Sequence, residues 1–266
     1  MLRTFFVAFF LSLYILFVGP PLIVYTVLTK NPDPIYWAGI NGLMFFVRAA
    51  GVKVSVCGKE RIPPGTCLFV ANHTSTVDAP AVVGAIPRRI AILLKESLFR
   101  WPIVGGAFLS AHFIPVDRKS RESAIASVDK ATVALRGGQS FLIYPEGTRS
   151  PDGRLQAFKK GAAMMAINAG VQVVPMACSG AHRVMKKKSL KIYPGEILVE
   201  FLAPMDASQY SLAQREALNQ AMHDALAAAL PPDQRPPGVI PFLRYGAVHA
   251  VSRAFSQARG ICVELL

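Results

Sequence analysis

Asn72-His73-Thr74-Ser75-Thr76-Val77-Asp78 sets an imidazole and a carboxylate five residues apart, directly after the apolar run CLFVA at 67–71. A neutral imidazole is the commonest general base near neutral pH. A carboxylate beside it can fix its tautomer and steady the imidazolium. On one continuous helix an i, i+5 pair lies about 140° apart and cannot meet. The pair meets only if His73 ends a strand and the chain turns into a helix near Ser75, with Asp78 in the first turn. The same residues also spell a Ser75-x-x-Asp78 capping box, which needs no catalysis.

A second polar turn, Tyr144-Pro145-Glu146-Gly147-Thr148-Arg149-Ser150, follows another apolar run, SFLIY at 140–144. Arg149 offers a planar fork that suits a phosphate, and Gly147 lets backbone approach a ligand closely. The plainer alternative is a turn in which Thr148 and Ser150 cap and Arg149 pairs with Asp152. Further cations stand at other expected strand ends: Lys95 after RIAILL, Arg118 after FIPVD, and Lys159 and Lys160 beyond the second turn. The run Arg183, Lys186, Lys187, Lys188 and Lys191 is either a solvated loop or a site for anionic lipid or a coenzyme's phosphates.

The elements around these residues alternate. Strands are expected at 52–58, 67–71, 89–94, 113–116, 140–144 and 171–177. Helices are expected at 78–84, at 99–110 with a break at Pro102, at 120–136 before Gly137-Gly138, and at 158–169 before Gly170. The runs 190–193 and 197–202 flank Pro194-Gly195 like a hairpin. A last helix at 211–230 opens with a Ser211-x-x-Gln214 capping box. Alternation from 52 to 180 predicts an α/β fold with a largely parallel sheet flanked by helices. Such sheets bind ligands at the carboxyl ends of their strands, where both polar turns fall.

Composition narrows the class. Hydrophobic residues make up 52% and charged residues 17% of 266, which excludes a disordered chain. The net charge of +13 suits an anionic membrane surface or a phosphate-bearing partner. Four cysteines lie far apart with no CxxC pair, which argues against a disulfide framework or a cysteine zinc site.

No charge occurs between Arg3 and Lys30, a 26-residue stretch long enough to span a bilayer but interrupted by Pro20-Pro21. The prolines should kink or end a helix there. Three readings stand: a signal peptide, a kinked membrane span, or a hairpin with a second apolar segment at 34–50. In the hairpin, Tyr36 and Trp37 would sit at the interface and Arg48 would snorkel. The expected division is an anchor at 1–50, an α/β domain at 51–230, and a Pro-rich linker with a basic, amphipathic tail at 231–266.

Taken together, the chain resembles the membrane-bound glycerolipid acyltransferases, the 1-acyl-glycerol-3-phosphate acyltransferase family. Asn72-His73 and Asp78 match its N-H-x-x-x-x-D motif, and Tyr144 to Ser150 match F-P-E-G-T-R-S with Tyr in place of Phe. Lys95, Leu98, Pro102 and Gly105 match a third segment. Phe113, Ile114, Asp117 and Arg118 match a fourth. Phe158-Lys159-Lys160-Gly161 and Val174-Pro175 complete the order. The resemblance implies transfer of a fatty acyl group from acyl-CoA or acyl-carrier protein to a lysophospholipid hydroxyl, giving phosphatidic acid when the acceptor is 1-acyl-glycerol-3-phosphate. It implies His73 and Asp78 as the catalytic pair. It implies Lys95, Arg118, Glu146, Gly147, Thr148 and Arg149 as substrate-binding residues.

The chemistry of those residues agrees. A thioester is already activated and calls for no metal or cofactor, an alcohol needs a base, and a phosphate explains the arginines. No G-x-S-x-G, G-x-x-x-x-G-K-[ST] or H-E-x-x-H occurs, so direct transfer is favoured over an acyl-enzyme. The expected partners are lysophospholipid, acyl donor and membrane lipid, without nucleic acid. The expected location is the cytoplasmic membrane with the site on its cytoplasmic side. The open alternatives are another lysophospholipid or a lyso-ornithine-type acceptor, a lipid hydrolase, and a catalytically silent lipid-binding protein.

Overall fold

The computed structural model describes residues 2–117, 120–237 and 263–264. Two helices come first, α1 (Leu2–Thr29) and α2 (Asp33–Ala49). The α/β part runs β1 (Val52–Cys57), β2 (Cys67–Ala71), α3 (Asp78–Ala85), β3 (Ala91–Lys95), α4 (Val104–Ser110), β4 (Ile114–Val116), α5 (Arg121–Arg136) and β5 (Phe141–Ile143). It continues through α6 (Gly161–Ala169), β6 (Gln172–Ser179), α7 (Ala181–Val184), β7 (Gly195–Phe201), β8 (Met205–Asp206), α8 (Arg215–Ala229) and β9 (Val263–Glu264).

The strands form one sheet in the order β4-β3-β5-β2-β6-β7-β1-β9, with β8 on β6. From β4 to β6 every pairing is parallel, and β7 turns the direction by pairing antiparallel with β6. The strands β2, β3, β4, β5 and β6 therefore point their carboxyl ends the same way, which gathers their following loops on one edge. At the centre, β2 is fully buried along its whole length, as the unbroken apolar run CLFVA requires of a strand covered on both faces.

Local boundaries follow the sequence closely. Ser120 caps α5 by accepting from the Ser123 N–H at 3.1 Å, and Gly170 closes α6 in the left-handed conformation. Some expectations need correction. Residues 190–193 do not form a hairpin arm, because β7 finds partners in β6 and β1 instead. The Ser211–Gln214 capping box is present, but it caps a 3₁₀ turn that precedes α8. Cys67 and Cys178 are free, whereas Cys57 is disulfide-bonded. The strand β9 lies antiparallel on β1, with Val263 paired to Val56. The expected basic tail otherwise lies outside the described residues.

The N-terminal segment is a helical hairpin. The first arm, α1, is continuous through Pro20-Pro21 rather than ending there. Contacts with α4 hold it on both sides of the prolines: Ile103 fills the space beside Gly19, and Ile23 lies on Gly106. The Tyr14 hydroxyl donates to the Ala38 carbonyl at 2.9 Å and joins α1 to α2. The second arm, α2, does not stand in lipid as a free segment. Its Tyr36, Ile40, Met44 and Val47 are buried in the core, and the Tyr36 hydroxyl accepts from the Ile90 N–H at 3.2 Å. Among the described residues α1 is the one helix long and apolar enough to cross a membrane.

Between the hairpin and the sheet lies an apolar cavity of about 1010 Å³. It is lined by Leu11, Gly39 and Phe46 from the hairpin and by Phe108 and Phe113 from the α/β part. Thr76 and Val77 reach it from the turn after β2.

Candidate active site

His73 and Asp78 are brought together as the turn from β2 into α3 requires. Asp78 is the first residue of α3 and is fully buried. Its Oδ2 accepts from the backbone N–H groups of Thr74 at 2.5 Å and Ser75 at 2.9 Å, and Oδ1 sits 3.0 Å from the same Ser75 nitrogen. His73 Nδ1 lies 3.4 Å from Oδ2, longer than an optimal hydrogen bond. The carboxylate is thus shared between holding the turn and facing the imidazole. The expected capping box does not form: Val77 is the N-cap of α3 and has no side-chain cap. The Ser75 N–H goes to Asp78, and the Ser75 hydroxyl donates to the Met185 carbonyl at 2.6 Å and accepts from the Val77 N–H at 3.3 Å.

With Nδ1 on Asp78, Nε2 is the ring nitrogen left to take a proton. The imidazole is covered on one face by the Tyr144 ring, stacked at 4.2 Å with an interplanar angle of 21°. A phenylalanine ring could stack in the same way. The Tyr144 hydroxyl is buried without a partner among the described residues.

The second turn clamps the first. The Glu146 carboxylate accepts the His73 N–H at 2.7 Å, and the Ser150 N–H donates to the His73 carbonyl at 2.7 Å. The backbone of His73 is therefore held on both sides by one seven-residue turn. The other Glu146 oxygen accepts from Gln156 Nε2 at 2.8 Å. Gly147, at φ +72°, lets the Lys159 side chain cross where a Cβ would collide with it at 2.9 Å. Arg149 does not pair with Asp152, whose carboxylate instead accepts from the Ser150 hydroxyl at 2.8 Å and the Arg154 N–H at 3.0 Å. The Arg149 guanidinium donates to the Thr76 hydroxyl, one turn from His73.

The remaining expected residues divide. Thr148 is exposed on the same turn, and its carbonyl accepts from Gln156 at 3.2 Å. Lys95 ends β3, two strands away from β2, and is exposed. Arg118 lies outside the described residues. Reading by type and spacing missed Gln156 and the part played by Asn72. The Asn72 side chain pairs with both backbone groups of Cys178, at 2.8 and 2.9 Å, and locks the end of β2 to β6. Nothing in the loop at 151–160 signalled Gln156, because a single amide in an aperiodic segment carries no pattern. No group of three or more His, Cys, Asp or Glu suited to a metal occurs among the described residues.

The acyltransferase family profile matches residues 53–179. The chain is 30% identical over 200 residues to the 1-acyl-sn-glycerol-3-phosphate acyltransferase of Limnanthes douglasii, covering 75% of this chain and 70% of that one. It is 29% identical over 182 residues to the protein of that name from Borreliella burgdorferi, covering 68% of this chain and 73% of that one. The crystal structure of the 1-acyl-sn-glycerophosphate acyltransferase PlsC from Thermotoga maritima superposes with a TM-score of 0.73. That match covers 86% of this chain and 94% of that one at 24% identity, and it shows the shared fold. The fold and the matched region define an acyltransferase. The chain belongs to the 1-acyl-sn-glycerol-3-phosphate acyltransferase family.

Glu146 supplies a test of the clamp. Only 4% exposed, its carboxyl is pushed by burial from the ordinary 4.5 up to about 7, against the opposing pull of the His73 N–H and Gln156. The folded chain keeps that proton up to about pH 7 and the unfolded chain loses it near 4.5. Stability therefore falls as pH rises through that window and levels off above it, by about 3 kcal/mol in all. Glu146→Gln removes this contribution. Thermal midpoints measured from about pH 5 to about pH 8 should fall more steeply with pH in the unaltered chain than in the variant. Parallel slopes would contradict the assignment.

Proposed function

We propose that this acyltransferase moves a fatty acyl group from an acyl thioester, acyl-CoA or acyl-carrier protein, to the free hydroxyl of 1-acyl-glycerol-3-phosphate. The observation that carries the reading is the placement of His73 Nδ1 on buried Asp78, with Arg149 and the apolar cavity both meeting the same turn at Thr76. His73 Nε2 takes the proton of the acceptor hydroxyl as its oxygen attacks the thioester carbonyl. Asp78 steadies the imidazolium. The C–S bond breaks as the C–O ester forms, and the proton held on His73 leaves with the thiolate. No protein nucleophile is needed.

Arg149 is the phosphate ligand in this proposal, moving its fork from Thr76 to the acceptor. Lys95, Arg118 and Thr148 complete the acceptor side. Glu146 and Gly147 act by shaping the turn that carries Arg149. The cavity takes the transferred chain, because the carbon that reacts at His73 is the first carbon of that chain and Thr76 and Val77 line the cavity. The apolar α1 holds the enzyme at the cytoplasmic membrane, where its lipid substrates and product reside, with the site on the cytoplasmic side.

Product analysis with one acyl donor and a panel of lysolipids tests the acceptor. Glycerophosphate-type lysolipid should be acylated far faster than lysolipids bearing a head group, and free fatty acid should not be the main product. Arg149→Ala should lower kcat/KM for the acceptor roughly 10- to 150-fold, the loss of one charge-assisted hydrogen bond, with the donor constants little changed. An equal defect for both substrates would mean structural damage, and no defect would remove the phosphate role.

Gly39 tests the cavity. A Cβ built there meets nothing within 4 Å, and the residue lines the cavity. Gly39→Leu should fold well, since leucine is the better helix former. Assayed with a ladder of acyl donors, it should shift preference to shorter chains, each excess methylene costing about 10- to 200-fold. An unchanged profile would place the chain elsewhere.

A further inference from the structure

Between Asp152 and Glu196 the chain holds no acidic residue, and within that stretch stand Arg183, Lys186, Lys187, Lys188 and Lys191. Two of these cations have partners. Arg183 pairs with Asp233 at 2.5 Å, and Lys187 Nζ donates to the Arg149 carbonyl. Lys186, Lys188 and Lys191 are exposed on the loop between α7 and β7. The loop has a defined course. The Ser189 N–H donates to the Lys186 carbonyl at 3.0 Å, the Lys191 N–H to the Ser189 hydroxyl at 3.0 Å, and the Tyr193 N–H to the Val184 carbonyl at 2.8 Å. Its Ile192 N–H reaches the Thr4 hydroxyl at 3.3 Å, at the start of α1.

That bond joins the basic loop to the apolar helix, and the two share an apolar surface. Leu190 is 82% exposed and Phe5 is 66% exposed, yet both line the large cavity. Residues that line a cavity and also face outward stand at its rim. Phe9 on α1 and Tyr193 on the loop are exposed as well, while Phe6 and Phe10 line a second apolar pocket between α1 and α2. Contiguous apolar surface edged by cations marks an interaction site.

The chemistry selects the partner. Phosphates of a soluble coenzyme would satisfy three lysines but leave Leu190 and the phenylalanines in water. An anionic bilayer offers phosphate at one depth and hydrocarbon just beneath it. We propose that the 186–193 loop docks on anionic bilayer, with Leu190 and Phe5 in hydrocarbon and Lys186, Lys188 and Lys191 at the phosphates. The docked rim then opens the cavity to lipid chains directly from the leaflet. This last step rests on the acyl-chain reading of the cavity, whereas the docking does not.

The test uses the full chain carrying Leu190→Cys, labelled with a polarity-sensitive fluorophore, with the equally treated unaltered chain as background. It is bound to vesicles of phosphatidylcholine alone, or of equal parts phosphatidylcholine and phosphatidylglycerol. Because α1 carries the protein to both, samples are compared at equal bound amount measured by flotation. On the mixed vesicles the emission should shift to the blue and be shielded from aqueous iodide. Adding Lys186→Gln and Lys188→Gln should shrink the shielded fraction by roughly 10-fold. No shielding on either vesicle overturns the docking, and equal shielding on both overturns the part assigned to the lysines. A blue shift produced by coenzyme A without vesicles would assign the loop to the donor instead. The readout is lipid contact and not turnover, so it stands apart from the acyl-transfer reading.

Discussion

One buried carboxylate organises the catalytic edge. Placing Asp78 at 0% exposure would be prohibitive for an unpaired charge, and the chain meets that cost by aiming two backbone N–H groups and an imidazole at it. To do so, β2 must end at Ala71, the chain must turn sharply over 72–77, and α3 must begin at Asp78 itself. The same constraint sets His73 Nδ1 toward Asp78 at 3.4 Å and leaves Nε2 as the ring nitrogen that does not face the carboxylate. Turn, helix start and imidazole position are therefore one structural decision, and the i, i+5 spacing is its trace in the sequence.

Everything else at that edge braces the same turn. Asn72 ties it to β6, the Ser75 hydroxyl ties it to Met185, and Glu146 and Ser150 hold the two backbone groups of His73. Parallel strand pairing makes this possible, because β2, β5 and β6 are adjacent and deliver their loops to one end. The helical hairpin closes the arrangement from outside: α2 joins the core and α1 walls the cavity that starts at Thr76 and Val77. An imidazole braced this firmly has little freedom left to reorganise, which suits the general-base role proposed for it.

Much of this was legible in the residues. Period-two and apolar runs located the parallel strands to within two residues, and Gly170 and Ser120 marked helix ends, because these signals are local. The pairing of His73 with Asp78 was legible as a condition, a strand end followed by a helix start, and the structure meets that condition. What stayed hidden depends on distant partners. Residues 190–193 looked like a hairpin arm, but β7 found better pairing across the sheet. Pro20-Pro21 were expected to kink or end the helix, and α1 runs on through them, with Ile103 packed at Gly19 and Ile23 at Gly106. Gln156 is one amide in an irregular loop and matters only because Glu146 comes to it. Arg149 turned out to lie on Thr76 rather than on its sequence neighbour Asp152, a choice made by the fold and not by proximity in the chain.

The central claim is direct transfer with His73 as the base, and a single-turnover experiment tests it most directly. The full chain is mixed rapidly with a labelled acyl thioester, first alone and then with 1-acyl-glycerol-3-phosphate, and quenched over the first turnover. The account predicts no acyl group on the protein in either case. Label should appear on the lipid acceptor in the first turnover, with that step slowed about 10²- to 10⁴-fold in His73→Ala. A stoichiometric burst of protein-bound acyl group, or a His73→Ala chain that transfers as fast as the unaltered one, would contradict it.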